Sequence, residues 1–168
     1  MLPLWLRTLI SIAVIAGGIF MLYTGDYLLG GLSLAAAAFF IYGYISGGTV
    51  TIAYMAVSRG DIDKAEKLLK QTRFPHLLNK RQKGYFHFVQ AFVLLDRKET
   101  KNAETALKLA LNYKLRTESD QALVLSVLTR LELDRKDKRK AKEYLGTAKK
   151  LKANQFVAAE IKKLEKLV

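Results

Sequence analysis

Two uncharged apolar runs open the chain. Leu9 to Tyr23 is apolar or small at nearly every position, and Leu2, Leu4, Trp5 and Leu6 extend it toward the N-terminus. Tyr27 to Ile45 forms the second run, and only Thr24-Gly25-Asp26 separates the two. That tripeptide has the composition of a tight turn. The pattern predicts a helical hairpin with arms at about 4–23 and 27–46. At 1.5 Å of rise per residue, each arm is expected to cross the ~30 Å of a bilayer core. Arg7 would then snorkel toward head groups, with Trp5, Tyr23, Tyr27, Tyr42 and Tyr44 at belt positions. No small-x-small cleavage pattern ends the first run before the second, so both are expected to persist.

Beyond position 48 the pattern changes. Apolar residues recur at three- and four-residue spacing, and no stretch alternates strictly, so the remainder is expected to be helical as well. Thr117 followed by Asp120 has the form of a capping box for a helix running to Leu133. Asn154 can cap a last helix in which Val157, Ile161, Leu164 and Val168 make one apolar stripe. The expected fold class is all-α. Residues 1–48 form a transmembrane hairpin and residues 49–168 a basic helical domain. The helix expected at Thr49–Ser58 is continuous with the second span, or just kinked from it at Gly47-Gly48.

Self-similarity marks the second part. Ala65, Ala103 and Ala141 are each 38 residues apart, inside the related stretches Asp63–Leu69, Lys101–Leu107 and Arg139–Leu145. Three positions after the last residue of each stretch comes Thr72, Ala110 or Ala148. A charged turn precedes each unit (Gly60-Asp61, Lys98-Glu99-Thr100, Lys136-Asp137), and an apolar helix precedes each turn. This helix–turn–helix unit with small–large–small spacing resembles the tetratricopeptide repeat. The resemblance covers residues 49–153 or so. It rests on Gly60, Ala65, Leu69 and Pro75, then Ala91, Leu94, Ala103, Leu107 and Ala110, then Ala141, Leu145 and Ala148. The period is longer than the family's ~34 residues, and the family's first-helix Trp and Leu-Gly pair are missing. The resemblance implies three stacked hairpins in an α-solenoid, closed by the last helix, with the first helix of each hairpin lining a groove. On that register the partner-binding groove holds Tyr54, Tyr85, Phe88, Phe92 and Arg130. From Tyr85 to Leu95 only His87 and Gln90 are polar. Such a helix is either buried on every side or covered by something outside the chain. An aromatic groove of this kind suits an apolar peptide or helix.

Charge divides the chain at the same place. Residues 1–58 carry only Arg7 and Asp26, so the whole net charge of +13 falls on the remainder. Lys64, Lys67, Lys70 and Arg73 recur every three residues, and Arg135, Lys136, Lys138, Arg139 and Lys140 form a dense run. These side chains are the candidate anionic-surface contacts, with anionic lipid head groups as the nearest ligand. RNA or a ribosome is the alternative, although no aromatic residues interleave with the lysine runs. The lysine distribution places both termini in the cytoplasm and the Gly25 turn outside, as an integral protein of the inner membrane if the source is bacterial. Ala13, Gly17, Gly31, Ala35, Gly43 and Gly47 are candidate small residues for close helix packing.

Catalytic chemistry has little material. There are no cysteines, which excludes thiolate metal sites and cysteine nucleophiles. His76 and His87 have no ligand partner at helical metal spacing, and no strand precedes a glycine-rich phosphate loop. A non-enzymatic scaffold or adaptor is therefore expected, without cofactor, binding a protein partner at the cytoplasmic membrane surface. The alternatives are a basic adaptor contacting RNA and an accessory subunit of a membrane complex.

Overall fold

A computed structural model describes residues 4–45, 48–72 and 74–168, without the side chains of 4–8, 11, 40–45 and 48. Among the described residues the chain is all-helical. The elements are α1 (Leu4–Tyr23), α2 (Tyr27–Ile45), α3 (Gly48–Ser58), α4 (Ile62–Gln71), α5 (Lys80–Asp96), α6 (Thr100–Asn112), α7 (Glu118–Asp134), α8 (Lys138–Ala148) and α9 (Gln155–Glu165). A 3-10 turn, Pro75–Leu77, lies between α4 and α5. The chain divides into two compact units, Met1–Gly48 and Thr49–Val168.

The first unit is the hairpin of α1 and α2. Gly25 takes a positive φ of 92° at its turn, a conformation that costs a residue without Cβ little. Ser33 Oγ donates to the Val14 carbonyl oxygen at 3.1 Å, tying the arms together. The close approach falls at Gly18 and Gly30. A Cβ at Gly30 would lie 2.7 Å from Leu22 Cγ and 3.0 Å from the Gly18 carbonyl oxygen. Gly17 and Gly31 face open space, and Ala13 and Ala35 are exposed. The side chain position of Gly43 and all of Gly47 lie outside the described residues, as do the side chains of Trp5, Arg7, Tyr42 and Tyr44. The seam therefore uses Gly18 and Gly30, with Ala37 buried.

The expectation that this hairpin spans a membrane is overturned, and with it the integral-membrane location and the cytoplasmic placement of both termini. Among the described residues no helix is long and apolar enough to cross a membrane. A crossing needs about 20 apolar residues in a row. Apolar side chains nonetheless cover the outside of this unit: Phe20 is 66% exposed, Leu28 77% and Phe39 80%.

In the second unit, α5 packs on α4 and α6, and α7 packs on α6, α8 and α9. Its core has two parts. The larger joins Ala53 and Ala56 of α3, Ala65 of α4, Phe88, Val89, Ala91 and Val93 of α5, Leu107 and Ala110 of α6, and Val124 and Leu128 of α7. The smaller joins Ala122 and Leu125 of α7, Leu145 and Ala148 of α8, and Val157, Ile161 and Leu164 of α9. The three alanines of the 38-residue spacing, Ala65, Ala103 and Ala141, are all fully buried. Only a methyl group leaves room for helices that cross so closely.

The turns between α3 and α4, α5 and α6, and α7 and α8 are built alike. In each, an arginine ends the first helix (Arg59, Arg97, Arg135) and the next residue is left-handed. Those residues are Gly60 at φ 79°, Lys98 at 61° and Lys136 at 62°. An acid then precedes the second helix: Asp61, Glu99 or Asp137. The acid's amide donates to Ala56, Leu94 or Glu132 O, at 2.9 Å in all three. This is the six-to-one bond that closes a helix C-terminus through a left-handed residue. Asp61 and Asp137 also cap the following helix, each accepting at 3.1 Å from the amide three residues on. Glu99 is one methylene longer and instead accepts from Asn102 Nδ2 at 2.8 Å.

Candidate functional site

Four of the five expected groove residues come together. Tyr54 of α3 meets Tyr85 of α5 edge-on, with ring centroids 4.9 Å apart. Phe88 lies 5.5 Å from Tyr54 and 4.8 Å from Phe92. Tyr54, Tyr85 and Phe92 are half-buried, whereas Phe88 is core. Arg130 stands apart and pairs with Glu160 of α9 at 3.2 Å.

At the polar edge of this aromatic cluster sits Asp120, in the first turn of α7. Tyr54 donates its hydroxyl to one carboxylate oxygen at 2.8 Å, and Tyr85 donates to the other at 2.7 Å. The Asp120 amide donates to Thr117 Oγ1 at 3.0 Å, and the Arg116 amide donates to the Tyr85 hydroxyl at 3.2 Å. One carboxylate thus joins α3, α5 and α7, the first helices of the three similar hairpins. Burial and the adjacent Asp120 charge push the Tyr54 hydroxyl up to about 12. The same causes, burial first, raise Tyr85 further. Both phenols therefore stay protonated and remain donors through the neutral range. Asp120 was legible only as a capping residue. Its backbone does take the cap bond, while its side chain turns to the tyrosines.

On the opposite helices the charges form a repeated clamp. Glu66 of α4 pairs with Lys70 at 2.7 Å and with Arg97 at the end of α5. Thirty-eight residues later, Glu104 of α6 pairs with Lys108 and with Arg135 at the end of α7. Each arginine reaches back to the preceding hairpin. The hydrogen bond from the lysine, then that from the arginine, holds both glutamates below the usual carboxylate range.

The expected anionic-surface residues divide accordingly. Lys70, Arg135 and Lys140 are engaged within the chain, the last with Asp137 at 3.2 Å. Lys64, Lys67, Lys136, Lys138 and Arg139 are exposed, and Arg73 lies outside the described residues. His87 donates from Nδ1 to Gln90 Oε1 at 3.1 Å and stacks on Tyr113.

A second concave feature escaped the sequence reading. An open depression of about 450 Å³ lies between the start of α5 and the segment after α6, lined by Lys80, Arg81, Tyr113, Lys114, Leu115 and Arg116.

The fold and these clusters place the chain in a class no narrower than all-α. No family model, curated protein or solved structure matches it.

Proposed function

We propose that this chain is a non-enzymatic scaffold whose second unit is a divergent tetratricopeptide-like solenoid that holds a protein partner. The single observation carrying this reading is the 38-residue repetition of the turn, of the buried alanine and of the glutamate–arginine clamp. Repeated hairpins joined by repeated contacts stack in one direction and present their first helices as one surface. That surface carries Tyr54, Tyr85 and Phe92, each half-buried and each with a rigid ring to offer a partner. In this reading α9 closes the stack. Its apolar stripe faces α7 and α8, and Lys162, Lys163 and Lys166 are exposed. The apolar outside of the α1–α2 hairpin supplies a second attachment surface, to be covered by apolar surface from outside the chain.

The basic adaptor contacting RNA is the other reading, favoured by Lys64, Lys67, Lys136, Lys138 and Arg139, all of them exposed. A photocrosslinking residue placed at Phe92, compared with ones at Lys67 and Lys142, distinguishes the two. A scaffold gives a discrete protein adduct from 92 that survives nuclease and is absent from 67 and 142. Adducts confined to 67 and 142 and removed by nuclease would sink the scaffold and leave the RNA adaptor.

A further inference from the structure

The depression between α5 and α6 gathers cations from two places far apart in sequence. Lys80 and Arg81 begin α5, while Lys114 and Arg116 follow α6. Gly84 lies where these ends meet: a Cβ there would be in ordinary contact with Leu115, the Ala110 carbonyl oxygen and Tyr113 Cβ at 3.4–3.5 Å. Buried Leu115 forms part of the wall.

None of the lining side chains is acidic. The nearest acids in sequence are already engaged. Glu118 accepts the Lys152 amide at 2.7 Å, and both Asp120 oxygens hold the tyrosines. Among the described residues no carboxylate pairs with Lys80, Arg81, Lys114 or Arg116. The clamp arginines Arg97 and Arg135, by contrast, each have a glutamate. Four like charges converging on one concavity repel one another, a cost that a multivalent anion removes. Two guanidinium groups add forked donors suited to phosphate oxygens, and the two ammonium groups act as point charges.

We infer that this depression is a binding site for an oligophosphate group, two or more linked phosphates carried by a small molecule. A single phosphate dianion would leave half of the four positive charges unmatched, whereas a diphosphate comes close to balancing them. The site lies in the second unit and does not depend on the scaffold reading.

The test titrates the full-length chain, kept in solution with a mild non-ionic detergent, with pyrophosphate, orthophosphate and ADP. Binding is followed by calorimetry and by amide shifts. Pyrophosphate should bind saturably and more tightly than orthophosphate, with shifts concentrated at residues 80–82 and 113–116. ADP matching pyrophosphate assigns recognition to the phosphates alone, and tighter ADP binding adds a contribution from the nucleoside. Arg81→Gln with Arg116→Gln should weaken pyrophosphate about tenfold or more, since each removes a charged hydrogen-bond partner. Lys138→Gln with Lys142→Gln removes the same charge from α8 and should leave affinity nearly unchanged. Thermal melts of both variants should overlay the parent. No saturation at millimolar pyrophosphate would overturn the proposal. So would equal weakening by the two pairs, which would mean a diffuse field. A short RNA that displaces pyrophosphate and is weakened equally by both pairs would replace the pocket with an extended nucleic-acid surface.

Discussion

Asp120→Ala removes the one acceptor shared by Tyr54 and Tyr85 and should destabilise the second unit substantially. Two hydroxyls donate to this carboxylate, at 2.8 and 2.7 Å. A hydrogen bond to a charged group contributes roughly 1.5–3 kcal/mol, so an upper bound is about 3–6 kcal/mol. Both rings are half-buried, so water can rehydrate the freed hydroxyls, and Tyr85 keeps the Arg116 amide as a donor to it. The expected loss is therefore about 2–4 kcal/mol. Asp120→Asn retains one acceptor and should cost about half as much. Tyr54→Phe deletes a single donor and should cost ~1–2 kcal/mol. Urea unfolding of the full-length chain at neutral pH, followed by near-ultraviolet dichroism of the tyrosines, gives each value. A double-mutant cycle of Tyr54→Phe with Asp120→Ala isolates the pair. Alkaline titration is an independent check. The folded Tyr54 value lies above the ordinary ~10, so its contribution is full below pH ~10 and is lost as pH rises toward about 12. In absorbance at 295 nm, Tyr54 and Tyr85 should ionise above the ordinary ~10. A loss under about 1 kcal/mol for Asp120→Ala, or additive effects in the cycle, would refute a carboxylate joining three helices.

Three further outcomes follow from the same geometry. Glu104→Gln should cost about 1 kcal/mol at neutral pH, discounted for the exposure of its partners. Because the folded Glu104 value is depressed, that difference should persist above the ordinary carboxylate range and vanish as pH falls through the folded value, as acid unfolding curves of the two proteins would show. Ala103→Leu, at a position with no exposed surface, should overpack the α5–α6 crossing and lower stability by roughly 1–3 kcal/mol, whereas unchanged melting would mean the alanine register is wrong. Gly30→Leu should disturb the α1–α2 hairpin and Gly31→Leu should not, read by crosslinking of cysteine pairs placed across the two arms.

Helix positions were readable because one apolar face per helix sets a period that survives without knowledge of partners. The helix capped by Asn154 carries that signal, whereas the arms at Leu4–Tyr23 and Tyr27–Ile45 were readable from their uncharged length and the helix after Thr117 from its cap. Helix-facing choices inside uniformly apolar segments were not readable. Gly17 and Gly18 are adjacent in an uncharged run, and nothing local tells which faces the other arm. The same ambiguity let Phe88 pass as a groove residue when it is core. The depression was hidden for a different reason. Lys80-Arg81 and Lys114–Arg116 look like ordinary helix-end charges until the α5–α6 hairpin brings its two open ends together. Asp120 was visible, but a residue with two suitable jobs cannot be assigned from spacing alone.

The glutamate–arginine clamp also bears on the length of the array. Arg97 finds Glu66 on the hairpin before it, and Arg135 finds Glu104. The corresponding position on α8, thirty-eight residues after Glu104, is Lys142. An arriving fourth hairpin with the same arginine would meet a like charge there, and α9 already packs on α7 and α8. Addition of further units, whether by sequence duplication or by head-to-tail joining of two copies, is thus opposed by one lysine and one covering helix. A chain lacking α9 and carrying glutamate at 142 would lose both stops and would bare Ala122, Leu125, Leu145 and Ala148, the part of the core that α9 covers.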